Sequence, residues 1–280
     1  MQTPIELQAV YIPKDRRHAM VAGVTLPERT SGAALFADIS GFTPLTEALA
    51  QLLGPQRGAE ELTRHLNQVY DALIAELDRF GGSVIGFSGD AITCWLDGDN
   101  GQRATACALA MQEAMRPFLS VPLPNAGAIS LAVKAAVAVG PARRFLVGDP
   151  DVQLIDVLSG TTLYHLAEAE HHAEKGEVLL DAAAVAAVGD AVIFKGWREA
   201  LHADASDEEA PARFGVVASL RQPIEPHPWP SLPADALSEA QVRPWLLPAV
   251  CERLRTGGGE FLAELRPAVS LFIRFGGLDY

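Results

Sequence analysis

Two aspartates stand where a catalytic cation site would need them. Asp38 follows an apolar run, Ala33-Ala-Leu-Phe-Ala37, and precedes Ile39-Ser-Gly-Phe-Thr43-Pro44. A carboxylate at the mouth of a buried strand, followed by a glycine turn and a helix start, lies beside the backbone N–H groups of Gly41, Phe42 and Thr43. Helix N-termini of this kind suit phosphate oxygens. Carboxylate and phosphate repel each other unless a divalent cation bridges them, and Mg²⁺ is commonly held by one or two carboxylates plus substrate phosphates. Asp90 occupies a second glycine turn, in Phe87-Ser-Gly-Asp-Ala91. Either aspartate alone reads as a turn or cap residue. Together, each on its own glycine turn, they are more specific, and only tertiary pairing of neighbouring strands could bring them together.

The elements that must position them follow from periodicity. Thr43 reads as an N-cap and Pro44 as the first helical residue, so a helix is predicted over 44–53, stopped by Gly54-Pro55. A second is predicted over 58–80, where Leu62, Leu66, Val69, Leu73, Leu77 and Phe80 share one face and Gly81-Gly82 ends the run. Residues 84–87 and 91–96 around Ser88-Gly89-Asp90 read as a hairpin. A helix over 101–116, a long strand over 129–139 and a short one at 145–147 follow. Beyond these come a helix over 161–174 and strands near 177–180, 192–194 and 214–217. Strands interleaved with helices predict an α+β domain. The expected organisation is an irregular lead-in (1–30), a catalytic domain (31–220), a proline-rich linker with a helix (221–265), and the start of a truncated second domain (266–280).

Composition removes several function classes. The 280 residues carry 22 Lys and Arg against 35 Asp and Glu, a net charge of −13. That balance argues against a nucleic-acid binder, whose affinity rests on basic charge facing phosphates, and against a polybasic membrane patch. A phosphate ligand is still admitted, because a bound cation inverts the local field. Three cysteines (Cys94, Cys107, Cys251) with no C-x-x-C pair suggest neither a disulfide framework nor a zinc or redox motif. The N-terminus lacks the apolar core of a secretory signal, and no run reaches the ~18 apolar residues of a membrane span. The expectation is a soluble, cytoplasmic protein with no membrane or nucleic-acid partner.

The motifs Phe36-Ala-Asp-Ile-Ser-Gly-Phe-Thr43 and Phe87-Ser-Gly-Asp-Ala91 resemble those of the class III adenylate/guanylate cyclase catalytic domain. The subtype they look most like is the first half (C1) of tandem cyclases similar to soluble adenylyl cyclase. The resemblance covers roughly residues 30–218. It implies a ferredoxin-like βαββαβ core, ATP bound between two such domains, and two Mg²⁺ ions, for which Mn²⁺ can substitute. By that resemblance Asp38 and Asp90 bridge both metals and the carbonyl of Ile39 completes one coordination shell. Gly41, Phe42 and Thr43 would cradle the triphosphate, and Lys134 would contact phosphate; read from the residues alone, Lys134 is equally an exposed strand lysine. The implied reaction makes 3′,5′-cyclic AMP and pyrophosphate. One ion activates the ribose 3′-hydroxyl, the other neutralises the departing pyrophosphate, and no protein nucleophile is required.

Departures from the family pattern carry equal information. Self-sufficient homodimeric members carry an Asn and an Arg on the helix after the last core strand, and here those positions are Tyr164 and Glu168. A glutamate cannot stabilise charge developing on phosphate, so a homodimer of residues 1–220 is expected to be catalytically crippled. Gly86 stands where the bicarbonate-responsive subtype has a lysine, and an anion-site arginine is absent near Ala167, which speaks against bicarbonate activation. Val269-Ser-Leu-Phe-Ile-Arg-Phe-Gly-Gly-Leu-Asp279 aligns without a gap with residues 33–43, matching Leu271, Phe272 and Gly277 to Leu35, Phe36 and Gly41. It reads as the opening of a C2-like copy that continues in a longer protein or in a partner chain. Arg274 stands at the place of Asp38, so that copy cannot hold the metals, and the two halves are complementary.

The rival reading is a catalytically silent, nucleotide-binding pseudo-cyclase that regulates attached or partner domains. A diguanylate-cyclase-like transfer shares the two-metal logic, but the chain lacks a Gly-Gly-Asp/Glu-Glu-Phe hairpin. Other candidates read as structural: His171 and His172 as a solvated helix end, Asp149 and Asp151 as a proline turn, Arg143 and Arg144 as a surface strand end, Cys94 and Trp95 as core.

Overall fold

The computed structural model describes residues 4–124, 127–200 and 212–255, with isolated positions 269, 271 and 273. In chain order the helices and strands are α1 (Pro4–Ala9), α2 (Lys14–Ala22), β1 (Arg29–Ser40), α3 (Phe42–Leu53), α4 (Pro55–Arg79), β2 (Ser83–Ser88), β3 (Ala91–Asp97), α5 (Gln102–Ala114), β4 (Val121–Pro122), β5 (Ala128–Ile129), β6 (Ala132–Asp149), β7 (Gln153–Ser159), α6 (Thr161–His171), β8 (Val178–Leu180), α7 (Ala182–Val188), β9 (Val192–Ala200), β10 (Ala212–Leu220), α8 (Glu239–Val242) and α9 (Pro248–Arg255).

The main sheet runs β2-β3-β1-β6-β8-β10-β9, with β7 paired to the far half of β6. Its first four strands, taken with α3, α4 and α5, give the βαββαβ order of a ferredoxin-like core. β1 is central and antiparallel to both β3 and β6. Alternation along β1 divides the two faces of the sheet. Ala33, Leu35, Ala37 and Ile39 enter one core with Leu73 and Leu77 of α4 and Met111 of α5. Ala34 and Phe36 point the other way, against Leu166 and Ala169 of α6. Asp38 and Ser40 share that second parity and are only partly covered.

The predicted helices over 44–53 and 58–80 and the 84–96 hairpin correspond to observed elements. Gly54 ends α3, and the close crossing of α3 and α4 requires Gly58, whose Cβ would meet the Leu49 carbonyl and Ala50 backbone of α3.

Four expectations are corrected. The lead-in is not irregular: α1 and α2 form within it, and Ala9 and Ile12 join Leu237, Val242, Trp245, Leu246, Cys251 and Leu254 in a separate apolar cluster. Helix α3 starts at Phe42 with Gly41 as its left-handed N-cap, so Thr43 is not the cap. The strand expected over 129–139 and the short one at 145–147 are one long strand, β6, whose far half pairs with β7, a strand without a clear period in the sequence. Arg144 is not a surface residue. It is buried, donating from Nη2 to Asp156 Oδ2 at 2.7 Å and to Asp15 Oδ1 at 2.9 Å, and Arg16 Nε reaches the same Asp156 carboxylate at 3.0 Å.

The proline-rich stretch after β10 has no regular structure over 223–233, as expected of an extended segment. It is nevertheless docked: Trp229 Nε1 donates to the Gly82 carbonyl at 2.7 Å and its ring stacks on His18. The strand expected over 269–279, with Arg274, lies outside the described residues apart from the isolated positions.

Candidate active site

Asp38 and Asp90 meet at one end of the sheet. Asp38 is the last residue of β1 in register with β3, opposite Ala91. The Ile39 N–H donates to the Asp90 carbonyl oxygen at 3.2 Å. The hairpin turn carrying Asp90 is thereby bonded directly to the strand end carrying Asp38. Gly89 takes a left-handed conformation in that turn. The Ile39 side chain is buried in the core, so only its backbone is available to a ligand.

On the other side of β1, Asp38 is in register with Lys134 of β6. Lys134 Nζ lies 3.3 Å from Asp38 Oδ2 and 2.5 Å from Glu170 Oε1, at the end of α6. Burial pushes the Asp38 carboxyl up, the Lys134 ammonium pulls it back, and the charges of Asp90 and Glu170 raise it further; the net direction is up. Burial works against the Lys134 charge, but its two carboxylates outweigh that and leave its pKa raised. Lys134 is therefore not a free strand lysine.

Gly41 closes the site from the helix side. Its φ is +96°, and a Cβ there would collide with the Ser130 carbonyl oxygen, so the turn after Ser40 accepts only glycine without strain. The next residues open α3. Helix geometry leaves the first-turn N–H groups of Phe42 and Thr43 without intrahelical acceptors, and Pro44 contributes no N–H. Thr43 and Pro44 are exposed and Phe42 is half-buried. The turn and helix start that carry these amides follow Asp38 directly in the chain.

The donor set suits a hard cation. Two carboxylates and a backbone carbonyl are oxygen ligands of the kind Mg²⁺ takes, with substrate oxygens filling the remaining positions. The charge of Asp90 bears on the Asp38 carboxylate, and an ammonium rests against Asp38, as a cation would. Among the described residues no group of three or more His, Cys, Asp or Glu side chains could hold a metal ion; His171 and His172 instead make ring contacts, His172 with Phe214.

Two residues near the site carry no legible signal in the sequence. Tyr70 of α4 donates its hydroxyl to the Gly89 carbonyl at 3.0 Å and meets the Phe87 ring edge-on. Burial, then the charges of Asp90 and Asp38, push its phenol up. Glu170 sits in the quoted α6 stretch, but its role depends on how α6 crosses the sheet. Tyr164 and Glu168, at the family's Asn and Arg positions, interact with each other on the same helix, and Tyr164 is exposed. A cavity of about 190 Å³ between sheet and helix is lined by Phe36, Thr93, Leu163, Leu166, Ala167 and Glu170. Asp149 is accounted for by its turn, accepting from the Asp151 N–H at 2.9 Å. Cys94 and Trp95 are core residues.

No helix among the described residues is long and apolar enough to cross a membrane. No family model matches the chain. Its sequence is 39% identical over 95 residues to adenylate cyclase type 10 of Rattus norvegicus, a match covering 31% of this chain and 6% of that protein. The human protein of the same name is 36% identical over 94 residues, again 6% of its length. The solved guanylyl cyclase Cya2 superposes with a TM-score of 0.57 at 22% identity, covering 70% of this chain and 95% of that one. The adenylyl cyclase CyaB from P. aeruginosa superposes at 0.54 and 19% identity, covering 70% and 97%. This chain therefore has the fold of the class III adenylyl and guanylyl cyclase catalytic domains, and adenylate cyclase type 10, the soluble adenylyl cyclase, is among its sequence relatives.

Proposed function

We propose that this chain is the metal-holding half of an adenylate cyclase that converts ATP to 3′,5′-cyclic AMP and pyrophosphate. The observation that carries this reading is the meeting of Asp38 and Asp90 beside the Gly41 turn, at a sheet end left partly open. In this reading residues 31–220 are the C1-like domain, 221–265 connect it onward, and 266–280 open a C2-like domain. Adenine rather than guanine is favoured by the likeness to adenylate cyclase type 10, although guanylyl cyclases share the fold.

Asp38 and Asp90 hold the cations through carboxylate oxygens, with the Ile39 carbonyl as a third donor. Bound there, two Mg²⁺ or Mn²⁺ ions supply Lewis acidity to the ribose 3′-hydroxyl and countercharge to the pyrophosphate. The amides of Gly41, Phe42 and Thr43 orient the triphosphate, and Lys134 adds a positive charge on the same face. The open Asp38 and Ser40 edge is where a complementary C2-like domain would close the nucleotide from water. That partner must bring the transition-state cation, since Glu168 cannot.

The second reading, a silent nucleotide-binding regulator, is favoured by the Tyr164–Glu168 pair. One assay separates them: the chain alone, and the chain mixed with a C2-like domain carrying an Asn and an Arg on the equivalent helix, each tested with ATP and with GTP. Little product from the chain alone and cyclic AMP from the mixture is the expected result. Robust turnover by the chain alone would overturn the complementary-halves reading, and silence from both would favour the regulator.

A further inference from the structure

Lys134 holds one ammonium between two carboxylates. Its Nζ is 3.3 Å from Asp38 Oδ2 and 2.5 Å from Glu170 Oε1, and all three side chains are about a quarter exposed. β6 delivers the lysine directly across from Asp38. The last turn of α6 delivers the glutamate. The three charges sum to −1, and Asp90 adds a further negative charge close by.

An ammonium against a metal-binding carboxylate is a competitor for that carboxylate. A divalent cation on Asp38 and the Lys134 ammonium neutralise the same charge and repel each other. If Asp38 were the only partner, metal entry would leave a partly desolvated ammonium unpaired beside a dication, a costly arrangement. Glu170 removes that cost, because it gives the ammonium a second seat and already makes the shorter of its two contacts.

We propose that Glu170 is a positioning residue that holds Lys134 so that Asp38 can exchange the ammonium for a divalent cation without stranding the lysine. The proposal rests on the reading of Asp38 as a metal ligand. Lys134 then lowers the affinity of the empty site for metal. Glu170 raises it, and does so through Lys134 rather than by its own charge.

The test is Mn²⁺ binding to the 280-residue chain without nucleotide, read from the electron paramagnetic resonance signal of free Mn²⁺. Lys134→Gln should tighten binding about three- to tenfold, and Glu170→Gln should weaken it by a similar factor. The double variant should bind like Lys134→Gln, because Glu170 has nothing to position once the lysine is gone. An unchanged affinity in Glu170→Gln overturns the proposal. So does an equal weakening with and without Lys134, which would make Glu170 a simple charge. A wild-type chain that takes up no Mn²⁺ overturns the metal reading itself, and the proposal with it. Circular dichroism melts accompany each variant. If Glu170→Gln melts early, Glu170→Asp, which keeps the charge but withdraws it from Lys134, replaces it and is expected to weaken Mn²⁺ binding in the same direction.

Discussion

The Ile39 N–H donates to the Asp90 carbonyl oxygen at 3.2 Å. That one bond ties the end of β1 to the β2–β3 turn and fixes two distant aspartates as neighbours. The β1–β3 register, which sets Asp38 opposite Ala91, makes the same junction rigid, because a slip of one residue would turn Asp38 into the apolar core.

Asp38→Asn should lower cyclase turnover of the assembled enzyme by at least about 100-fold, a loss of the size seen when one electrostatic contact to the transition state is removed. Stability should move the other way. Burial, opposed by Lys134 and reinforced by Asp90 and Glu170, holds the Asp38 carboxyl above its ordinary range. An acid whose folded pKa is raised stabilises the fold below its unfolded pKa, and that contribution disappears as pH rises through the folded value. The variant should therefore be no less stable than wild type near neutral pH, and its stability should fall less as pH rises above the ordinary carboxylate range, about pH 4. Urea titrations over that rise in pH check the sign.

Gly41→Ala and Gly89→Ala should separate strain from collision. Both glycines have positive φ, but a Cβ on Gly41 meets the Ser130 carbonyl while one on Gly89 meets open space. Gly89→Ala should cost about 1 kcal/mol. Gly41→Ala should cost more, up to about 3 kcal/mol, and should also impair nucleotide binding by shifting the start of α3. Thermal denaturation and nucleotide titration provide the two readouts.

Tyr70→Phe keeps the ring contact with Phe87 and removes the hydroxyl that donates to Gly89. The expected stability loss is about 1 kcal/mol. Because that hydroxyl anchors the turn bearing Asp90, Mn²⁺ affinity should fall as well. Tyr70→Ala should lower both further, since it also removes the ring. An unchanged Mn²⁺ affinity in Tyr70→Phe would restrict the residue to packing.

Arg144→Leu should be the most destabilising of these substitutions. It leaves the Asp15 and Asp156 carboxylates buried with Arg16 as the cation still bonded to Asp156. Removing one member of a buried ion cluster costs roughly 3–5 kcal/mol. Urea denaturation should show the loss without any change in the geometry of the Asp38 site, because the cluster joins α2 to the β6–β7 arm.

Local chemistry was enough to find β1, the β2–β3 hairpin and the long helices, and to single out both aspartates. An apolar run ending in Asp-Ile-Ser-Gly-Phe-Thr is a strand, a turn and a helix start in any context, and Ser88-Gly89-Asp90 between two β-rich runs is a hairpin turn. The three- and four-residue spacing of Leu62, Leu66, Val69, Leu73 and Leu77 marked the buried face of α4 without knowledge of what it packs on.

Tertiary structure decided the rest, because those features depend on which elements meet. β7 alternates weakly and becomes a strand only by pairing with the far half of β6. Arg144 reads as a surface residue until α2 brings Asp15 to it. Glu170, the second carboxylate on Lys134, and Tyr70, the anchor of the Gly89 turn, are ordinary helix positions in the sequence. They reach Lys134 and Gly89 only because α6 and α4 cross the sheet where they do, and a crossing is set by packing between distant segments rather than by any local run of residues.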